Sequence, residues 1–181
     1  FEGAQISSGM RAGEGAIEVV EIGEDVKSSV IGGTRPRGIC GSGLIDLVAE
    51  LLRVGIIDET GRLQDPSEVE GLSPDLVSRI RSGETGSEFV VAWAPETADG
   101  NDIVLTQRDI RELQLAKGAI RAGTRILQKV LNITDEDIDE LLLAGAFGNY
   151  IRKESAMGMG LLPPIPLDRI RSVGNAARVG A

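Results

Sequence analysis

Three glycine-bearing turns are the parts of this chain best suited to bind a ligand. They are Gly41-Ser42-Gly43, Gly145-Ala146-Phe147-Gly148 and Gly174-Asn175-Ala176, each ahead of a predicted helix. A helix start offers unpaired N–H groups and about half a unit of positive charge, which suits phosphate, and glycine lets a ligand approach the backbone. One such turn usually serves only to redirect the chain. Several in one α/β unit favour a nucleotide cleft, because open parallel sheets bind ligands beyond the carboxyl ends of their strands.

A polar and cationic stripe on a long predicted helix, Gln107–Leu131, is the second candidate. At about 100° per residue, Gln114, Lys117, Arg121 and Arg125 fall on one side of this helix. A stripe of this kind is either a solvated face or a set of ligand contacts. The opposite side is apolar and consists of Ile110, Leu113, Ala116, Ile120, Gly123, Leu127, Val130 and Leu131.

Composition excludes several classes of chemistry. The chain has 181 residues, a net charge of −9, no histidine and a single cysteine, Cys40. It therefore lacks a Ser-His-Asp triad, an HExxH zinc site and a four-cysteine cluster. The acidic balance disfavours nucleic acid, and no apolar run approaches the roughly 18 residues of a membrane span, so we expect a soluble, cytoplasmic protein. We assign no catalytic or metal-ligating residue.

Hydrophobic periodicity predicts one compact α/β unit over residues 1–181. The predicted strands are Ala16–Ile22, Val26–Ile31, Glu88–Ala94, Ile103–Leu105, Ile138–Ala144 and Arg169–Val173. The predicted helices are Gly43–Val54 with Ser42 as its N-cap, Pro74–Arg81, Gln107–Leu131 capped by Thr106 and Asp109, and Lys153–Met157. Turn-rich residues 58–86 predict a surface excursion, and the absence of an initiator Met predicts a piece of a longer protein.

Several motifs along nearly the whole chain resemble the carboxy-terminal part of the reductive activators of corrinoid proteins. The matching blocks are Phe1–Ala4, Gly9–Ala12, Gly15–Ile17, Gly38–Asp46, Thr106–Lys117, Leu143–Ile151, Gly160–Pro163 and Val173–Ala177. The resemblance implies membership of the acetate and sugar kinase, Hsp70 and actin (ASKHA) superfamily. The implied fold is α/β, an actin-like, ribonuclease-H-like mixed sheet with flanking helices, present here in part.

The same resemblance implies which residues contact a nucleotide. Gly145, Ala146, Phe147 and Gly148 resemble the superfamily's adenosine motif, although its usual second glycine is Ala146 here. Gly41, Ser42 and Gly43 resemble a turn that faces ribose or phosphate, and Gln114, Lys117 and Arg121 resemble polar contacts to adenosine. The cofactors implied for the whole protein are ATP with Mg and a [2Fe-2S] cluster. The DxGT-type phosphate loops and the cluster's ferredoxin domain are not in this chain.

The function implied is the ATP-binding part of a corrinoid activation protein, in which ATP drives reduction of cob(II)amide to cob(I)amide in a corrinoid protein. The electron would come from the ferredoxin domain, so this chain alone would bind rather than catalyse. Two alternatives stay open: an activase for another acceptor, such as a dehydratase or methyltransferase system, and a non-enzymatic binding or dimerisation module. A homodimer is compatible with each of them.

Overall fold

The structure is a computed structural model that describes residues 6–83, 86–145, 148 and 150–174. Its strands are β1 (Ala16–Ile22), β2 (Val26–Val30), β3 (Gly38–Ile39), β4 (Ile80–Gly83), β5 (Gly86–Ala92), β6 (Ile103–Thr106), β7 (Leu141–Ala144) and β8 (Ile170–Gly174). Its helices are α1 (Gly41–Arg53), α2 (Pro74–Ser78), α3 (Gln107–Leu131) and α4 (Lys153–Gly158).

The strands form three small sheets among the described residues. In the first, β1 pairs antiparallel with β2 and parallel with β3, giving the order β2-β1-β3. In the second, β4, β5 and β6 form an antiparallel meander. In the third, β7 and β8 are parallel, so their carboxyl ends lie at one edge.

A shared hydrophobic core joins these sheets to α1 and to the start of α3. Helix α1 packs on β1 with an apolar face that includes Leu44, Leu47 and Leu51, all fully buried. Phe89 of β5 and Ile110 of α3 belong to the same cluster. Burial of this face explains why the sequence between two glycines, 43 and 55, forms a helix.

Segment 58–86 also contributes to this core. Leu63, Leu76 and Ile80 are buried at 1%, 1% and 3% exposure, although the segment was predicted to be a surface excursion. The predicted helix Pro74–Arg81 was too long: α2 ends at Ser78, because Ile80 instead pairs with Phe89 across β4 and β5.

The start of α1 corrects another prediction. Ser42 is not the N-cap; Cys40 occupies that position without a side-chain capping bond, and Ser42 lies in the first turn. The Ser42 Oγ is 3.3 Å from the buried Cys40 Sγ, which also donates to the Ile17 carbonyl oxygen at 3.3 Å. The cysteine is thus tied to β1, which draws the helix start two residues earlier than predicted.

Helix α3 begins and ends as predicted, and its capping box is confirmed. The Thr106 Oγ1 accepts the Asp109 N–H at 3.2 Å, and the Asp109 carboxylate accepts the Thr106 N–H at 2.9 Å. Its apolar side is not buried along the whole helix, as it would be in an ordinary amphipathic helix. Only its first turns, at Ile110 and Leu113, are buried, whereas the rest of the apolar stripe, from Ile120 to Leu131, is exposed.

Strand β7 is shorter and more exposed than predicted. It is parallel, as expected, but it starts at Leu141 rather than Ile138, and Leu142 is 54% exposed. Within the part of the chain that is described, no helix is both long and apolar enough to cross a membrane.

Candidate nucleotide-binding site

The most open glycine turn lies at the carboxyl ends of β7 and β8. The Gly145 N–H donates to the Gly174 carbonyl oxygen at 2.7 Å, so the predicted second and third turns are neighbours. Gly145 has a φ of +94°, which L side chains rarely adopt, and no described atom lies within 4 Å of where its Cβ would stand. Among the described residues, nothing therefore blocks the approach of a ligand to this backbone.

Gly148 has a different requirement. A Cβ on Gly148 would stand 3.0 Å from the Leu143 backbone carbonyl, so glycine allows the chain to fold back closely on β7. The Ser172 hydroxyl donates to the Gly148 carbonyl oxygen at 2.7 Å and holds this return against β8. Ala146 and Phe147, also predicted to contact adenosine, lie outside the described residues, as do Asn175 and Ala176.

The turn at the start of α1 is buried rather than open. Gly41, Ser42 and Gly43 are all buried, and a Cβ on Gly43 would stand 2.2 Å from the Ile17 carbonyl oxygen. The close packing of α1 on β1 is therefore by itself a sufficient reason for glycine at position 43. The predicted contact of this turn with ribose or phosphate stays a prediction.

The polar stripe of α3 faces the body of the chain. Gln114 donates to the Thr60 carbonyl oxygen at 3.0 Å and accepts from Arg111 at 2.6 Å, so it fastens the 58–61 loop to the helix. Arg121 and Arg125 approach Asp135 Oδ2 at 4.0 and 3.8 Å, and Gln128 donates to Asp135 Oδ1 at 2.7 Å. Both Gln114 and Arg121 thus have intramolecular partners, but the buried Nη1 of Arg121 has no hydrogen-bond partner among the described residues.

Lys117 is the exception on this stripe. Its ammonium has no hydrogen bond or ion pair to any described residue, and its Nζ lies 3.1 Å from where a Cβ on Gly160 would stand. The side chain borders a groove of about 560 Å³ between α1 and α4, whose lining includes Glu50, Arg53, Glu59, Arg152 and Met159. An unpaired ammonium at a groove is suited to an anionic group.

The structure therefore brings some predicted residues together and leaves others apart. Gln114 and Lys117 share a small cavity of about 40 Å³ with Met159, next to the larger groove. Gly145 and Gly148 form a second group at the β7–β8 edge, and Gly41 to Gly43 form a third against β1. No hydrogen bond between the described residues joins these three groups.

A buried carboxylate was missed by the sequence analysis. Asp46 of α1 is 1% exposed. The Ser155 side chain and the Val20 backbone face its carboxylate, but neither makes a hydrogen bond of good geometry. Its nearest cation is Arg152, just before α4, at 3.8 Å; the same guanidinium group lies 3.2 Å from Glu21. Burial raises the pKa of Asp46. An acid among the apolar residues 44–48 was the available signal.

The acidic turn at residues 134–137 is closed by its own hydrogen bonds. Thr134 caps it by donating its N–H and hydroxyl to the Asp137 carboxylate at 2.8 and 2.9 Å. These bonds lower the pKa of Asp137. No group of three or more potential ligands capable of holding a metal ion occurs in the described ranges.

The mixed strands, the parallel pair ending in a glycine turn and the flanking helices define an actin-like fold of the ASKHA class. The chain belongs to the family described as the C-terminal domain of RACo, the ASKHA domain, which matches residues 1–181. The family resemblance carried by the motifs is thus confirmed.

Two relatives that are similar in sequence are both described by their relation to corrinoid proteins. The corrinoid activation enzyme RamQ of Eubacterium limosum is 41% identical over 184 positions, which cover 100% of this chain and 30% of that protein. The [Co(II) methylated amine-specific corrinoid protein] reductase of Methanosarcina barkeri is 29% identical over 182 positions, covering 90% of this chain and 29% of that protein.

A solved structure has the same fold. A reductive activator for corrinoid, iron-sulfur protein superposes with a TM-score of 0.87 at 45% identity, covering 97% of this chain and 27% of that one. The chain thus spans less than a third of the length of each of these proteins.

Proposed function

We propose that this chain is the adenosine-binding part of an ATP-dependent reductive activator of a corrinoid protein. The observation that carries the proposal is the open Gly145 turn, joined to Gly174 at the carboxyl ends of two parallel strands. This is the place where open α/β sheets bind ligands. The descriptions of the relatives, all concerned with corrinoid proteins, support the choice of reaction.

In this proposal the nucleoside rests against residues 145–148, and Lys117 contributes a positive charge. Gln114 also holds Lys117's helix, because its side chain donates to the Thr60 carbonyl oxygen. Arg121 is retained as a nucleotide contact in this proposal: it approaches Asp135 only at 4.0 Å, and its buried Nη1 has no hydrogen-bond partner among the described residues. The phosphate loops and the Mg ligands belong to parts of the longer protein outside this chain.

The parent protein would transfer one electron from a [2Fe-2S] cluster to cob(II)amide, giving cob(I)amide. A nucleotide can shift the conformational equilibrium behind this step only by binding one conformation more tightly than another. The role of this chain is therefore to bind ATP and ADP with different affinities in two conformations. The partner implied is a corrinoid protein.

Calorimetric titration with ADP and ATP, with and without magnesium, tests nucleotide binding. We expect dissociation constants between about 1 μM and about 1 mM, and loss of binding in Gly145→Val, because the new side chain fills the approach to the turn. Gly100→Val is the matched control. Gly100 also has a positive φ, +74°, and open space around it, but it lies in the turn before β6.

Full nucleotide affinity in Gly145→Val would contradict the assignment of the turn. If the 181-residue chain binds no nucleotide, the same titration on the longer protein decides the matter. Absence of binding there as well would refute the proposal, leaving the glycine turns with a structural role only.

A further inference from the structure

Asp46 is a buried carboxyl group that the proposed function does not use. It lies in α1 between Ile45 and Leu47, which are 1% and 0% exposed. Neither of its oxygens makes a hydrogen bond of good geometry with a described residue. Buried polar groups in proteins are nearly always hydrogen-bonded, and exceptions concentrate at strained or functional positions. Asp46 is therefore a candidate for a role beyond packing.

The residues that cover Asp46 belong to β1 and α4. Val20 of β1 is fully buried, and its backbone faces the carboxyl group. Ser155 faces the carboxyl group from α4, a helix of six residues that packs directly on α1. Strand β1 is paired on both sides, with β2 and β3, so it is held in place. Helix α4 is thus the element whose movement can expose Asp46 to water.

Four charged groups surround the carboxyl group. Arg152, just before α4, lies 3.8 Å from Asp46 and 3.2 Å from Glu21 of β1, so its charge is shared. On α1, Glu50 follows one turn after Asp46 and pairs with Arg53 at 2.7 Å. Burial raises the pKa of Asp46 and outweighs the opposing effect of Arg152. The packed arrangement of α1 and α4 therefore favours a neutral carboxyl group.

Helix α4 also forms one wall of the groove that Lys117 borders. Ser155 and Met159 line this groove from α4, and Glu50 lines it from α1. Gly160, directly after α4, is so near that a Cβ on it would stand 3.1 Å from the Lys117 Nζ. The separation of α4 from α1 thus sets the width of the groove and the surroundings of the Lys117 ammonium.

We propose that Asp46 is a proton-dependent positioning residue, which lets α4 pack on α1 while its carboxyl group is neutral and releases α4 when it ionises. Release means that α4 separates from α1, so that water reaches the carboxylate and the groove widens. The inference rests on the proposed function only where Lys117 contacts the nucleotide. The movement of α4 itself requires no nucleotide.

The pH dependence of release follows from the two arrangements. After release the carboxyl group is in water and titrates near its ordinary pKa of 3.8, whereas the packed arrangement holds the proton more tightly. The equilibrium constant for release should therefore rise by up to about tenfold per pH unit above 3.8. It should level off above the pKa of the packed arrangement.

Amide hydrogen exchange, corrected for the intrinsic rate at each pH, measures release in the 181-residue chain. The amides of Ala156 and Met159 donate to carbonyl oxygens one turn earlier, both at 3.0 Å, so they report on α4. We expect their opening to increase between about pH 4 and about pH 8. The Val90 amide, bonded to the Arg79 carbonyl in the core at 2.8 Å, should open less often, because release is local.

Asp46→Asn is the decisive variant, since its side chain has nearly the same shape and cannot ionise. The opening of its α4 amides should not vary with pH. Glu154→Gln is the matched control, because Glu154 is an exposed carboxylate of α4 itself. That variant should keep the pH dependence of the original chain. Circular dichroism verifies that each variant is folded.

Arg152→Gln is a second variant, which keeps Asp46 in place. The packed carboxylate loses its nearest cation, so the pH at which release levels off should move upward. Saturating ADP should slow the exchange of the α4 amides in the original chain, because ADP binds the narrow groove more tightly than the widened one.

Three outcomes would overturn the role of Asp46. They are α4 exchange that does not vary with pH in the original chain, equal pH dependence in Asp46→Asn, and an unchanged levelling pH in Arg152→Gln. If ADP leaves the exchange of α4 unchanged while the pH dependence is present, the nucleotide site is contradicted and the role of Asp46 is confirmed. The two proposals therefore fail by different observations.

Discussion

Gly43 of α1 lies so close to Ile17 of β1 that a Cβ on Gly43 would stand 2.2 Å from the Ile17 carbonyl oxygen. The obstacle is backbone in the centre of a sheet, so it cannot move aside as a flexible side chain would. Glycine at position 43 sets the distance between α1 and β1, and with it the position of the core-facing residues of the helix.

Gly43→Ala should therefore destabilise the fold by about 3 kcal/mol, because the methyl group forces α1 away from β1. Gly118→Ala is the matched control. Gly118 is also helical, but no described atom outside its own helix backbone lies within 4 Å of its Cβ position, so alanine there should stabilise by about 0.5–1 kcal/mol. Urea denaturation followed by circular dichroism measures both. Equal stabilities of the two variants would refute the packing argument.

Lys117→Ala should weaken ADP binding about tenfold, since it removes an ammonium that has no partner among the described residues. Folding should be unaffected, because no described intramolecular bond is lost. Lys27→Ala, on the exposed strand β2, serves as the control and should bind ADP like the original chain. Calorimetry compares the three proteins. An unchanged affinity in Lys117→Ala would remove Lys117 from the site.

Asp46 should make the chain less stable as pH rises. Burial raises the pKa of Asp46 above its ordinary value of 3.8, so the folded state holds the proton more tightly than the unfolded state. Its contribution is thus greatest at low pH and is lost as pH rises through the folded pKa.

The difference in unfolding free energy between the original chain and Asp46→Asn isolates this effect, since other carboxylates cancel. We expect the difference to fall as pH rises from 3.8 through the folded pKa of Asp46, and to level off above it. Urea titrations at a series of pH values measure it. A difference that does not vary with pH would show that folding does not shift the pKa of Asp46.

Asp25 should contribute in the opposite direction, through Arg79. The Arg79 side chain is buried; it donates to Asp25 Oδ2 at 2.8 Å and to the Val90 carbonyl at 3.1 Å. Its hydrogen bonds lower the pKa of Asp25. The stabilisation is therefore present above pH 3.8 and lost as pH falls through the lower, folded pKa.

Asp25→Asn should cost about 1–3 kcal/mol at pH 7, because it leaves the buried guanidinium without its counter-charge. The neighbouring Glu24→Gln is the control, since that side chain is exposed, and it should change stability by less than about 0.5 kcal/mol. Thermal and urea unfolding at pH 7 compare the two. Equal stability of both variants would contradict the role of the ion pair.

Local features of the sequence predicted most of the elements. The capping box of Thr106 and Asp109 and the alternation of residues 16–22 depend on interactions within a few residues, so they can be read from neighbouring letters. The same holds for the turn between β1 and β2. The family motifs, spread from residue 1 to residue 177, likewise identified the ASKHA class before any geometry was known.

Contacts distant in sequence decided the site and the exposed faces. Periodicity alone divides α3 into an apolar and a polar side, but it cannot say which side meets the rest of the chain. Thr60 and Asp135 draw the polar side inward, so the apolar side faces outward. The role of Gly43 and the burial of Asp46 likewise depend on residues brought together only by folding. The sequence pattern determines which side chains lie on each side of a helix. The tertiary structure determines which side contacts the rest of the chain, because those contacts join residues that are distant in sequence.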